Sequence, residues 1–282
     1  MVTPVGLVPT THLEPARWLV EAITVFGGHV EELMPAGFDA CCRVFHRPDQ
    51  GRPDDESAPS WAEVAKRHGT TFHPEAQWTA LTGGRDVSPH HPGETASWDQ
   101  PITGSLDPMT LSRLSDLLAT HTATPERCHF ALWEGTGKSP RSWDAYPRFR
   151  LPGRTHWLFA PVPVREVSAY AVELEVGGMQ EQSREHGEVQ GFLTASGRPP
   201  RPEDLMRVAS RWREEGFVQS PSWWWPEDRA WVVHSEVDYD STLVAGSADL
   251  ADALLAAPEI ECLRVTPRTL LTAHADRINH SP

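Results

Sequence analysis

Residues 219–247 read QSPSWWWPEDRAWVVHSEVDYDSTLVAGS, a stretch that holds four of the twelve Trp residues and the densest run of carboxylates in the chain. Period-two alternation from Trp231 sorts Trp231, Val233, Val237 and Tyr239 onto one face, and His234, Glu236, Asp238 and Asp240 onto the other. That is the pattern of a strand over Ala230–Asp238 with one face in a core. Upstream, Trp224 and Trp225 are neighbours. On an extended chain they point to opposite faces, so at least one of them is expected to cover a groove or to lie partly exposed. Indole rings bring large apolar area with a single N–H to satisfy. The segment therefore reads either as a packing anchor or as the wall of a ligand pocket.

Working outward, the strand is one of several. Gly37–Phe45, Cys128–Trp133, Trp157–Val162, Val167–Val176 and Ile260–Val265 also have strand-like lengths and composition. Helices are expected over Pro15–Phe26, stopped by Gly27 and Gly28, and over Asp107–Thr120, where Leu111, Leu114, Leu117 and Leu118 form one stripe. Ser60-Trp61-Ala62-Glu63 has the spacing of a capping box that opens a short helix ended by Gly69. Ser247–Ala256 is a further capped helix. Elements of both kinds alternate without an internal repeat, which excludes solenoids and propellers. The fold class expected is α+β: a mixed, mainly antiparallel sheet with helices packed to one side. Gly177–Pro202 is polar and ends in GRPPRP, so it is expected to be a flexible connector between an N-terminal region (13–176) and a C-terminal region (203–276) packed on it.

Composition narrows the function classes. A formal charge of −14 disfavours nucleic acid and anionic membranes as partners, since both are held through Lys and Arg. No run approaches the roughly 18 apolar residues of a membrane span, and Met1–Pro15 lack the basic and apolar regions of a signal peptide, so none is expected. Cys41, Cys42, Cys128 and Cys262 form no CxxC pair, which fits a reducing cytoplasm. The string Gly135-Thr136-Gly137-Lys138-Ser139 lacks the first glycine of a phosphate-binding loop and runs into Pro140. The fourteen His residues match no zinc spacing, so no resident metal or cofactor is expected.

Two chemistries remain. Neighbouring carboxylates on one strand face lie about 7 Å apart, close enough to share a hard cation or to divide acid and base roles. This makes Glu236, Asp238 and Asp240 the catalytic candidates, with Arg229 placed to relieve their repulsion. A charged, solvated outer strand face also accounts for the pattern. Trp224 and Trp225, with Asp228 or Arg229 to orient a ligand, are the binding candidates.

Ser220-Pro221, Trp224-Trp225-Pro226-Glu227-Asp228-Arg229-Ala230-Trp231, Glu236, Asp238, Ser241-Thr242, Val244 and Gly246-Ser247 resemble the C-terminal signature of a group of uncharacterised actinobacterial proteins. Pro35–Ala40, Arg43–His46 and His121–Gly135 are similar to two earlier blocks of that group. The resemblance implies one architecture over most of the chain and a bacterial cytoplasmic setting, and it carries no mechanism. The chain departs from the pattern at Trp223, at His234-Ser235 and at Ala245. This removes His234 from any chemistry shared with the group and retains Glu236 and Asp238.

The leading expectation is a cytoplasmic binding or interaction protein, its partner a protein or a small molecule, with its working surface around Trp223–Trp231. The alternative is a metal-assisted hydrolase that uses Glu236 and Asp238 around Mg2+ or Mn2+.

Overall fold

A computed structural model of the chain describes residues 8–48, 59–83, 100–136, 139, 141–168, 170 and 219–279. The expected connector 177–202 lies outside these. Eight strands of the described residues join in one sheet: β1 (Ala40–Phe45), β2 (Cys128–Trp133), β3 (Phe149–Leu151), β4 (Arg154–Leu158), β5 (Trp223–Pro226), β6 (Val232–Ser235), β7 (Ser241–Gly246) and β8 (Cys262–Val265). Their order is β3-β4-β2-β5-β6-β7-β1-β8. Each of the seven pairings is antiparallel, so the parallel component of a mixed sheet is absent from the described residues. Strands from 13–176 and from 203–276 interleave in this sheet.

The two longest helices of the described residues, α5 (Pro108–Ala119) and α6 (Ala248–Ala256), pack to one side and complete the α+β fold. Each begins where its sequence dictates. Asp107 accepts a hydrogen bond from the amide of Thr110 and Ser247 accepts one from Leu250, satisfying amides that the helix leaves unpaired. Leu111, Leu114 and Leu118 of α5 meet Leu250 and Leu254 of α6 in a core with Val44, Phe130, Trp224, Trp231 and Val233. The Trp231 indole closes it by donating to the carbonyl of Leu118 at 3.0 Å.

The opposite sheet face is also covered. α1 (Arg17–Ala22), α2 (Val30–Leu33) and the chain between them lie over Ala131, Leu158, Trp223, Trp225, Val232 and Leu243. α1 stops at Ala22, short of Gly27. A third core, of Phe45, Trp61, Val64, Trp78 and Leu81, joins the sheet edge to α3 (Trp61–His68) and α4 (Trp78–Leu81). α3 has the expected capping box, and Gly69 ends it in the left-handed conformation at φ 69°.

Other boundaries move. The strand expected at Trp157–Val162 is β4, three residues earlier, because Gly153 at φ 72° turns β3 into β4. Val167, Ser168 and Tyr170 are helical rather than extended, continuing the turn Val164–Glu166 that packs on α5, and the other residues of that expected strand lie outside the described residues. The strand expected to run to Asp238 ends at Ser235.

One buried charge ties these parts together. Arg43 on β1 is fully buried, and its guanidinium donates to Ser241 Oγ (2.8 Å), to the carbonyls of Pro74 and Ala76 (2.9 Å each) and to Asp240 Oδ1 (3.0 Å). Replacing it with Leu strands those acceptors, so Arg43→Leu is expected to cost roughly 3–5 kcal/mol in urea unfolding. Trp231→Ala is expected to cost a similar amount, roughly 3–5 kcal/mol, as a large core deletion. Leu255→Ala, at an exposed position, should stay within about 0.5 kcal/mol of the parent.

Candidate functional site

The Trp-rich segment forms β5, hydrogen-bonded on both sides to β2 and β6. Its rings alternate as the sequence requires. Trp224 enters the core under α5 and α6, while Trp223 and Trp225 enter the core under α1. The expectation that Trp224 or Trp225 lines an open groove is corrected: they are 0 % and 1 % exposed, because both faces of the sheet are covered. The aromatic cluster reaches the surface through Trp18. Its half-buried ring meets Trp225 edge-on at 5.9 Å, and Trp225 in turn stacks on His129 at 5.8 Å.

Above this column the chain turns through Glu227, Asp228 and Arg229. Asp228 is committed to holding the turn, since its carboxylate accepts from Thr122 Oγ1 and from the amides of Ala123 (2.7 Å) and Ala230 (3.1 Å). Burial alone would raise its pKa, but these hydrogen bonds outweigh it and the net direction is down. Glu227 is held below the usual carboxylate range first by the His129 hydrogen bond (2.8 Å) and then by Arg127, against a smaller opposing effect of burial. His129 is lowered mainly by burial, and its Nδ1 has no partner.

Arg229 differs from its neighbours. Its backbone is left-handed (φ 55°), the only non-glycine residue so placed among those described. Its guanidinium lies 5.3 Å over the Trp18 ring, and among the described residues it makes no side-chain hydrogen bond or ion pair. It is exposed and does not approach the three acids it was expected to relieve.

Those acids separate because the strand ends at Ser235 and residues 236–240 form a turn, so they no longer share one strand face. Arg154 of β4 takes the relieving role. Its Nη2 reaches Glu236 Oε1 (2.6 Å) and Asp238 Oδ2 (2.8 Å), and its Nε reaches Glu236 Oε1 at 3.1 Å. An organic cation thus bridges the two carboxylates where the metal reading would put Mg2+ or Mn2+, and among the described residues no three His, Cys, Asp or Glu side chains converge on a metal site. Asp240 turns away to Arg43. Glu236 is buried and its pKa is raised, chiefly by burial, whereas Asp238 is exposed.

Residues unforeseen as site members complete this corner. Phe26 and Trp133 sandwich the Arg154 guanidinium, with ring centroids at 4.9 and 4.8 Å. His156 lies under it on the same strand face, stacked on Phe149, and His234 stacks on Trp223 at 3.7 Å. His234 Nδ1 is 3.0 Å from the carbonyl of Ser222, which can only accept, so the proton is on Nδ1 and Nε2 is an acceptor. Its 3.9 Å approach to Glu236 Oε2 is therefore neither an ion pair nor a hydrogen bond. Alternation within β2 put His129 with Ala131 and Trp133 on one face. No local signal pointed to Arg154, which meets Glu236 across 82 residues of sequence.

No family model, curated protein or solved structure matches this chain. No described helix is long and apolar enough to cross a membrane.

Burial holds His156 and His234 neutral, each with its pKa pushed down to about 3. A depressed histidine contributes stability that is complete above its unfolded value of 6.5 and is lost as pH falls towards about 3. Glu236 acts in the opposite sense, with a contribution present below 4.5 and lost as pH rises through its folded value. Between pH 6 and 4.5 the two histidines should together contribute a slope of up to about 2.7 kcal/mol per pH unit to unfolding free energy, which Glu236 opposes. Urea titrations across that range should show the slope fall by up to about 1.4 kcal/mol per pH unit in His156→Phe; an unchanged slope would mean that this histidine titrates normally in the folded state.

Proposed function

We propose that this chain is a binding protein whose working surface is the Glu227–Arg229 turn with Trp18, Arg127 and His129 around it. Its partner presents a carboxylate or phosphate group, carried by a small molecule or a protein, to Arg229. The observation that carries this reading is the state of Arg229. A left-handed backbone costs a non-glycine residue about 1–2 kcal/mol. An exposed cation such as Arg229 over the half-buried Trp18 indole returns only about 0.5–1 kcal/mol. The residue's amide closes the turn on the carbonyl of Pro226 at 2.9 Å, as a glycine would, but its side chain holds nothing beyond Trp18, and strain of this kind concentrates at functional positions.

The surroundings suit an anion. Glu227 is paired with Arg127 and accepts a hydrogen bond from His129, and Asp228 is held by neutral donors of the turn, so Arg229 is left as a cation without an ion-pair partner among the described residues. Trp18 and the buried column beneath it supply a rigid aromatic floor, as binding surfaces commonly do.

Arg229→Gly separates binding from folding, because glycine adopts φ 55° without strain. The variant is expected to melt at or above the temperature of the parent. In thermal-shift titrations with sodium phosphate and sodium citrate, against sodium chloride at equal ionic strength, the parent should be stabilised saturably and the variant should not respond. A variant that loses stability, or that keeps the phosphate and citrate response, removes Arg229 from the site.

A further inference from the structure

Cys42 of β1 and Cys262 of β8 sit on neighbouring antiparallel strands. The register sets Cys42 opposite Arg264 and Val44 opposite Cys262, so the two cysteines are diagonal neighbours on one sheet face, in the core under α6. Their thiols hydrogen-bond to each other. The other two cysteines are placed differently. Cys41 points to the opposite face, and Cys128 turns its sulfur to the carbonyl of His129 at 3.6 Å.

Diagonal neighbours across such a pair of strands stand about 7–8 Å apart. A disulfide ordinarily requires Cα atoms within about 4.4–6.8 Å, so the sheet holds these sulfurs near each other but too wide for an unstrained bond. One metal ion between them, with a metal–sulfur bond of about 2.3 Å on each side, makes up the difference. The ligand set restricts which ion that is. Thiolates select soft metals over Mg2+ or Ca2+, which take oxygen. Among the described residues no third His, Cys, Asp or Glu joins the pair, whereas structural zinc is bound by four ligands. Cu(I) is soft and accepts two thiolates in a line.

We propose that Cys42 and Cys262 form a two-coordinate site for Cu(I), bridging β1 to the edge strand β8. Binding exchanges both thiol protons for one ion of charge +1, with no change of oxidation state, and leaves a bis-thiolate complex of charge −1. Arg264, opposite Cys42, supplies a cation beside it, and the present partner of that arginine, Asp252 of α6, is exposed to solvent. Cys42 is fully buried, while Cys262 begins the strand at the sheet edge and is 8 % exposed, so the ion enters past Cys262.

The test is a competition for copper. The reduced full chain, titrated without oxygen into the Cu(I) complex of bicinchoninate, is expected to withdraw one copper per chain and bleach the colour of the complex. Cys42→Ser and Cys262→Ser should each lose this uptake, and Cys41→Ser and Cys128→Ser should keep it. Should Cys42→Ser not fold, Cys262→Ser at the sheet edge decides, with its fold checked by circular dichroism. Native mass spectrometry of the parent should show one bound copper on the monomer. No uptake by the parent, uptake that survives in Cys262→Ser, or copper found only on dimers bridged between chains overturns the proposal.

Discussion

The buried guanidinium of Arg43 is the constraint around which the rest of the fold is arranged. Removing such a charge from water costs several kcal/mol unless its donors are met. Here they are met by four groups from distant parts of the chain, so β7, the turn before it and the loop at 74–76 are each fixed relative to β1. The loop carries α4, and with it the third core. Phe45 and Trp61 add ring faces to the same cation at 4.4 and 5.9 Å. A second polar clamp continues outward. The Asp276 carboxylate accepts from Asn279 (2.8 Å) and Gln77 (3.3 Å) and lies 3.0 Å from His73 Nε2, seating the end of the described chain on α4.

Arg43 and Arg154 together bracket the turn 236–240, one holding Asp240 and the other Glu236 and Asp238. Three acids that look like a single cluster in sequence are thus divided between two cations on two parts of the sheet. Their negative charge is spent on position. The cation left without an ion pair among the described residues, Arg229, lies on a different surface, over Trp18.

Much of the fold was legible from local chemistry. Asp107, Ser60 and Ser247 announced helix starts because a cap is a contact over three residues, and β2 was readable from an apolar run interrupted only by His129. The fate of Trp224 and Trp225 was not legible, because alternation tells which residues share a face but not whether a second layer covers it. The N-terminal segment supplies that layer, and its short helix α1 has a weak signal of its own. The turn at 236–240 was hidden for a related reason. Val237 and Tyr239 keep the alternation going after the hydrogen bonding has stopped, and Gly104 approaches so closely there that a Cβ would fall 2.6 Å from the Val237 Cα. Arg154 was out of reach altogether, since its partners are chosen by sheet register.

The strand order has a consequence for synthesis. β1 is among the first strands to leave the ribosome, and both its neighbours, β7 and β8, are among the last, about 200 residues later. At roughly 5–20 residues per second, this strand waits on the order of 10–40 s before either edge can be paired. Throughout that time Val44, Phe45 and the arginine between them and Cys42 have no native sheet to enter. Pairings so distant along the chain also form slowly once the chain is complete. The nascent protein therefore depends on whatever keeps an unpaired apolar strand from meeting another.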